Sequence, residues 1–256
     1  MSLFRMLDFR FRFLFALTIV ASSPGLSHAA TFEELFRTGA ELYRAGEYAR
    51  AARAFAESAA QRPASGTLQN LGNAEWRSGR TGAAVLAWEQ ALWLSPFNPP
   101  ARLNLRFARK AAQIEAPDLT WYEVVSTWLP ANWWAWFAGA TFWLGIATGS
   151  LPGILRRPRT VWHQAVAALA FMLFLLSVPA YVGVHTRSAS GFILQKDTPL
   201  RLTPTAEAQA ITRLAAGEPG RSVRRRGGYL LIRTHRTLGW VQLDQFGLIC
   251  GNVAGL

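Results

Sequence analysis

The spacing of hydrophobic and polar residues divides this chain into stretches of different character. Residues 31–116 carry small and aromatic residues at helical spacing between charged positions, which predicts amphipathic helices. The stretches 133–155 and 161–184 contain no Asp, Glu, Lys or Arg, and each is long enough for a transmembrane helix. Residues 190–256 contain short alternating runs separated by Gly, Pro and Asp, which predicts a small all-β module. The pattern predicts a multi-domain protein with helical, membrane and β parts.

The first 30 residues have the pattern of a secretory signal peptide. Arg5, Arg10 and Arg12 precede a short uncharged run that ends at Val20, and small residues follow. That run is too short to cross a hydrocarbon core of ~30 Å comfortably. We expect residues 1–30 to be a signal peptide; an uncleaved anchor is the alternative. Either one exports the chain that follows.

An internal repeat runs through residues 31–116. The paired positions, each 33 residues apart, are Gly39 and Gly72, Gly46 and Gly79, Ala51 and Ala84, Phe55 and Trp88, and Pro63 and Pro96. Small residues where helices cross, an aromatic residue beside them and a closing proline resemble tetratricopeptide repeats, whose period is ~34 residues. A third unit begins around Asn104 but stops early, which predicts a lone terminal helix.

The resemblance to tetratricopeptide repeats implies a concave face that binds an extended or helical peptide. By register, the peptide-groove candidates are Tyr43, Asn70, Asn73 and Arg77. The alternative is that these side chains are only solvated or packed. Ala40 stands where chaperone-tail-binding relatives have an asparagine, so their basic clamp is not predicted.

Aromatic residues and arginines predict how the apolar stretches cross the membrane. Residues 117–132 form a Trp-rich junction, and such rings prefer the headgroup boundary. Short loops rich in arginine stay in the cytoplasm, and residues 156–160 contain Arg156, Arg157 and Arg159. We therefore expect a transmembrane hairpin of the bacterial inner membrane, with the helical repeats and the β module both periplasmic.

Three glycines recur every four residues in the first apolar stretch: Gly145, Gly149 and Gly153. Glycines at this step let helix backbones approach closely. Packing between the two helices of the hairpin is the favoured interpretation, and dimerisation is the alternative.

The C-terminal runs "PLRLTP", "RLAAGE" and "GGYLLIRTHRTLGWVQL" resemble bacterial SH3 domains, which implies an SH3-like β-barrel. Its densest charge comprises Arg221, Arg224, Arg225 and Arg226. These arginines are candidates for binding anionic lipid, wall-peptide carboxylates or an acidic protein, and the alternative is a solvated hairpin loop. The link from Val184 to Gly191 reaches only about 25 Å, so the module must stay near the bilayer.

Composition narrows the possible functions. The 27 basic and 15 acidic residues give a net charge of +12, but the 11 tryptophans lie in and beside the apolar runs, so nucleic-acid binding is not predicted. The single cysteine, Cys250, excludes an intramolecular disulfide, and we expect it in a strand. No paired-histidine, GxSxG or phosphate-loop motif occurs, so we expect no enzyme, metal or cofactor.

The order of these parts resembles the BatE-like proteins of the Bacteroides aerotolerance operon. The resemblance implies work beside membrane-anchored von Willebrand factor A proteins and a MoxR-type ATPase, in envelope stress tolerance or complex assembly. Our first hypothesis is a non-enzymatic scaffold or assembly factor. The alternative is an envelope sensor or anchor that binds peptidoglycan through the SH3-like module.

The predicted topology can be tested with reporters fused after Leu256. Because the C-terminal module is expected outside the cytoplasm, an alkaline phosphatase fusion should be active and a green fluorescent protein fusion should be dark. The opposite result would place the module in the cytoplasm and contradict the hairpin.

Overall fold

The computed structural model describes residues 30–156, 158 and 160–250. Residues 1–29 of the expected signal peptide and Arg157 and Arg159 of the expected cytoplasmic loop lie outside the described residues. From Phe32 onward the chain forms a single unit. An all-helical part is followed by an all-β part, in the order that the sequence predicts.

Residues 32–111 form five helices whose lengths follow the internal repeat. They are α1 (Phe32–Arg44), α2 (Tyr48–Gln61), α3 (Ser65–Arg77), α4 (Thr81–Leu94) and α5 (Pro99–Ala111). The pair α3 and α4 repeats the pair α1 and α2, and the turn glycines Gly46 and Gly79 have the same left-handed φ of 80° and 81°. Asn98 caps α5 by accepting a hydrogen bond from the backbone N–H of Ala101.

Each helix pair is held by a glycine beneath an aromatic ring. A Cβ at Gly39 would lie 2.9 Å from the ring of Phe55, and a Cβ at Gly72 would lie 2.5 Å from Nε1 of Trp88. Phe55 and Trp88 are fully buried. The two glycines therefore let the helices approach closely enough for these rings to fill the space between them.

Three further helices follow: α6 (Trp121–Ser126), α7 (Ala131–Ile154) and α8 (Val161–Arg187). Helices α7 and α8 pack against each other, since Phe142 contacts Phe171 and Phe174 with ring centroids 6.3 Å and 5.3 Å apart. Among the described helices, α8 alone is long and apolar enough to cross a membrane. Its Leu175 and Leu176 are 65% and 61% exposed, so much of its apolar surface has no protein neighbour.

The expected helix-packing glycines lie on or near the α7–α8 contact. A Cβ at Gly145 would approach the ring of Phe171 to 3.0 Å, and one at Gly149 would lie 4.0 Å from Cβ of Ala167. Gly153 is exposed in the last turn of α7. The first two positions fit the interpretation that the glycines serve contact between these two helices.

The part of the chain that the structure describes contains seven strands: β1 (Ser190–Ile193), β2 (Thr198–Arg201), β3 (Ala210–Leu214), β4 (Pro219–Arg226), β5 (Tyr229–Arg233), β6 (Leu238–Gln242) and β7 (Phe246–Leu248). They form one antiparallel sheet with the order β3-β2-β6-β5-β4-β1-β7. The arginine-rich run lies inside β4 and pairs with β5, so the interpretation of that run as a hairpin loop is wrong. Cys250 follows β7 and is exposed, outside the strand in which we expected it.

Strand β1 joins the helical and β parts, since all its residues are buried. Successive side chains of a strand point to opposite faces. Phe192 packs into the hydrophobic cluster of α4 and α5, whereas Ile193 packs into the core of the sheet. Close contacts extend this interface, because a Cβ at Gly82 of α4 would lie 2.3 Å from the carbonyl oxygen of Ile193.

Substitution of Gly72 tests the crossing of α3 and α4. Gly72→Ala should destabilise the protein by about 1–3 kcal/mol, because the new methyl group displaces Trp88. Gly66→Ala is a matched control in the same helix, since its Cβ meets no atom within 4 Å; there alanine should leave stability unchanged or raise it by up to about 1 kcal/mol. Chemical unfolding of the purified chain measures both, and equal effects would contradict the packing described.

Candidate functional site

The expected peptide-groove residues fall into two groups on α1 and α3. Tyr43 packs edge-on against Tyr48, with ring centroids 5.2 Å apart. Arg77 donates a hydrogen bond of 2.5 Å to the hydroxyl of Tyr48, and its guanidinium carbon lies 4.6 Å from the centre of that ring. Tyr48 therefore brings Tyr43 and Arg77 together and holds the cation in place.

The asparagines form the second group. The side-chain oxygen of Asn73 accepts hydrogen bonds from Nε1 of Trp88 at 3.1 Å and from Nδ2 of Asn104 at 2.7 Å. Asn73 thus links the repeat core to α5, and its own amide N–H groups have no hydrogen-bond acceptor among the described residues. Asn70 lies one turn earlier on α3 and is half-buried.

An exposed aromatic residue that the sequence interpretation missed adjoins the asparagines. Phe107 of α5 is 61% exposed and packs edge-on against Trp76, with ring centroids 5.8 Å apart. Its position in α5 corresponds to that of Asn73 in α3, because α5 begins 34 residues after α3. The same register that identified Asn73 could have found it. We call the set Tyr43, Asn70, Asn73, Arg77 and Phe107 the repeat face.

A buried carboxylate connects α6 to the β module. Glu123 is fully buried, and its two oxygens accept hydrogen bonds from the guanidinium of Arg221 at 2.5 Å and 2.7 Å. The backbone N–H and the hydroxyl of Thr120 also donate to it, at 2.9 Å and 3.0 Å, and complete a capping box at the start of α6. Arg221 further donates to the carbonyl oxygen of Asp118 at 3.0 Å.

These contacts set the charge states at the junction. Burial by itself raises the pKa of Glu123, but the hydrogen bonds from Arg221, Thr120 and Thr186 outweigh it and lower the pKa to about 2. The hydrogen bonds with Glu123 likewise raise the pKa of Arg221. Both groups are therefore ionised at neutral pH and form a bidentate pair.

Arg221 is therefore not free to bind an anionic surface, unlike the other three candidate arginines. Arg224, Arg225 and Arg226 are exposed near the β4–β5 turn, whereas Arg221 is bound to Glu123. The partner lies 98 residues earlier in the chain, so the arginine-rich run alone contains no sign of it.

The end of α8 meets both α6 and the helical repeats. Gly183 lets α6 lie directly on α8, since a Cβ there would be 2.2 Å from the carbonyl oxygen of Tyr122. Arg187 donates a hydrogen bond of 3.2 Å to the hydroxyl of Ser126, and its guanidinium lies 5.2 Å from the ring centre of Trp93 in α4. Arg187 thus links the last turn of the apolar helix to the repeats.

Two exposed side-chain contacts join the segment between α5 and α6 to the β module. Nδ1 of His235 lies 2.6 Å from the carboxylate of Asp118, and Arg236 lies 3.3 Å from Glu115. Exposed pairs of this kind contribute little stability, with typical values of about 0–1 kcal/mol. The buried pair is therefore the stronger electrostatic contact of the junction.

The Glu123–Arg221 pair predicts a pH dependence. The pKa of Glu123 is lower in the folded state than its ordinary value of 4.5, so its contribution is present above pH 4.5 and is lost as the pH falls toward 2. Glu123→Gln should cost about 3 kcal/mol, as removal of one member of a buried pair does, and should remove this acid-dependent loss. The free energy of unfolding, measured at a series of pH values, tests both expectations. Glu115→Gln, in the exposed pair, is the control and should change that free energy little.

The described residues contain no group of three or more His, Cys, Asp or Glu side chains that could hold a metal ion. Comparisons with protein-family models, curated proteins and solved structures gave no match to this chain.

Proposed function

We propose that this protein is a non-enzymatic scaffold or assembly factor of the bacterial inner membrane, which presents its helical repeats and its β module to periplasmic proteins. The observation that carries the proposal is strand β1, which contributes Phe192 to the core of the repeats and Ile193 to the core of the sheet. Two binding modules that share a strand hold their ligands at a fixed distance from each other.

The membrane part of the proposal rests on the exposed apolar surface of α7 and α8. Leucine side chains along α8 are exposed, as an apolar helix in lipid requires. Trp133 and Trp136, at the start of α7, are also exposed, in the position where tryptophans meet the headgroups. The proposal has α7 cross together with α8 as a hairpin, although among the described helices α8 alone meets the requirements of length and apolarity, and it places Arg156 on the cytoplasmic side.

The binding part rests on the repeat face. Its amide, guanidinium and aromatic groups lie on α1, α3 and α5, the first helices of successive units, and tetratricopeptide arrays bind peptides on the face that these helices form. Asn73 offers N–H donors, and Phe107 offers apolar surface beside them. A peptide segment of a periplasmic or membrane-anchored protein is the ligand of suitable chemistry.

The partner class and the cellular role come from the resemblance to BatE-like proteins. Von Willebrand factor A proteins anchored in the same membrane are the proposed partners, and an aerotolerance or stress complex is the proposed assembly. In this assignment the β module is an SH3-like domain held close to the bilayer by β1, which begins directly after α8.

Site-directed crosslinking in intact cells tests the proposal. A photoreactive amino acid at Tyr43 should capture a membrane-anchored partner, and Phe107→Ala should lower the yield by about tenfold, equivalent to ~1.4 kcal/mol of binding energy. Leu202→Ala is the matched control, because Leu202 is a comparably exposed apolar residue in the β part.

The results separate the two candidate functions. Equal yields from the Phe107 and Leu202 variants would contradict binding at the repeat face. Sedimentation of the purified protein with cell-wall sacculi, without any captured membrane protein, would instead support the peptidoglycan anchor.

A further inference from the structure

A cavity of about 650 Å³ lies where the repeats, the junction and β1 meet. Helix α5 contributes Arg102, Arg106 and Arg109 to its wall, at positions that share one helix face. Arg187 enters from the end of α8, and Ser190 from β1. The cavity is thus built from three separate parts of the chain.

The wall of this cavity is strongly positive. Among the described residues that line it are four arginines and one carboxylate, Glu89. Glu89 pairs with Arg109 and also lies near Arg187, whereas the exposed Arg102 and Arg106 form no ion pair with the described residues. Arg102 donates to the carbonyl oxygen of Pro96, and Arg106 has no hydrogen bond or ion pair with the described residues. These side chains attract an anion.

Two buried donors in the same wall lack acceptors. The Nε atom of Arg109 and the hydroxyl of Ser190 are shielded from solvent and have no hydrogen-bond partner among the described residues. Ser190 is only 7% exposed, and Arg187 only 9%. Buried polar groups are nearly always satisfied in folded proteins, so a water molecule or a ligand is needed to accept from these donors. An anion with several oxygens supplies what the wall lacks.

The place of the cavity indicates where the anion comes from. Thr127 and Trp128 line the cavity and directly precede α7, while Arg187 ends α8. In the proposed orientation this is the outer surface of the membrane. Apolar side chains of Leu92, Phe97 and Leu119 line the same cavity, which is larger than one phosphate requires. Arginine forks match the paired oxygens of a phosphate, and the apolar side chains suit the hydrocarbon of acyl chains.

We propose that this cavity binds the phosphate headgroup of an anionic phospholipid from the outer leaflet. The inference rests on the proposed membrane orientation and goes beyond the protein-binding role. A bound lipid would join α5, α8 and β1 through one ligand, since each contributes a donor that faces the cavity.

Native mass spectrometry of the full chain tests this inference. The protein is released from nanodiscs that contain equal parts of phosphatidylglycerol and phosphatidylcholine. We expect one phosphatidylglycerol to be retained, and we expect the Arg102→Gln/Arg106→Gln variant to lose that retention by about tenfold or more. Arg37→Gln/Arg53→Gln is the charge-matched control, because both arginines are exposed on α1 and α2, away from the cavity.

Ser190→Ala separates binding from folding. Loss of a hydroxyl without a partner should leave the unfolding midpoint unchanged or raise it in lipid-free detergent, yet it should weaken phosphatidylglycerol retention. Inorganic phosphate and glycerophosphoglycerol are added as soluble ligands in parallel experiments. If the protein binds either one at millimolar concentration but retains no phosphatidylglycerol, the cavity is a free-phosphate site and the lipid assignment is overturned.

Equal retention of both lipids, or equal losses in the cavity and control variants, would also overturn the inference. The capture of partners by Tyr43 is measured separately. If no partner is captured but phosphatidylglycerol is retained, only the scaffold proposal is rejected. If a partner is captured but phosphatidylglycerol is not retained, only the lipid site is rejected.

Discussion

Both faces of strand β1 are buried, one against the helical repeats and one in the sheet core, and the arrangement of the other parts depends on this packing. Phe192 completes the core of the helical repeats, and Ile193 completes the core of the sheet. Only Ser188 and Ala189 separate β1 from the last residue of α8. The end of the apolar helix is therefore fixed to both cores at once, and neither part can turn without disturbing the other.

The buried Glu123–Arg221 pair acts on the same junction in a different way. Both groups lose hydration on burial, and that cost offsets much of their attraction, so the pair is a modest source of net stability. Its directional hydrogen bonds instead determine how α6 lies against β4. Ser126 adds to this geometry, because its carbonyl oxygen accepts from Nε1 of Trp134 while its hydroxyl accepts from Arg187. Helices α6, α7 and α8 thus meet at one serine.

The proposed scaffold would present its ligands at a set height and angle above the membrane. Interfaces between domains of one chain are commonly small and polar, which allows the domains to move. Here the interface includes a shared strand, close glycine contacts at Gly82 and Gly247, and a hydrogen bond of 3.0 Å from Gln90 to the carbonyl oxygen of Leu248. The proposed partner and lipid sites would both benefit from this rigidity, because binding then costs less conformational entropy.

The sequence by itself determined the features that depend on local spacing. The glycine and aromatic positions of the helix pairs, the start of a lone third unit and the alternation of the strands are all visible within a few turns or residues. Such patterns reflect backbone geometry, which neighbouring residues dictate. The register also located Asn73, and the same register, extended by one unit, would have located Phe107.

Only the tertiary structure decided which distant residues meet. Arg221 belongs to an arginine-rich run whose other members are exposed, and its carboxylate partner lies 98 residues away. The cavity draws on α5, α8 and β1, which are separate elements of the chain. Charge density and hydrophobic alternation reflect the preferences of the residues within one stretch. Ion pairing and burial depend instead on how distant elements pack together, and no single stretch of the chain determines that packing.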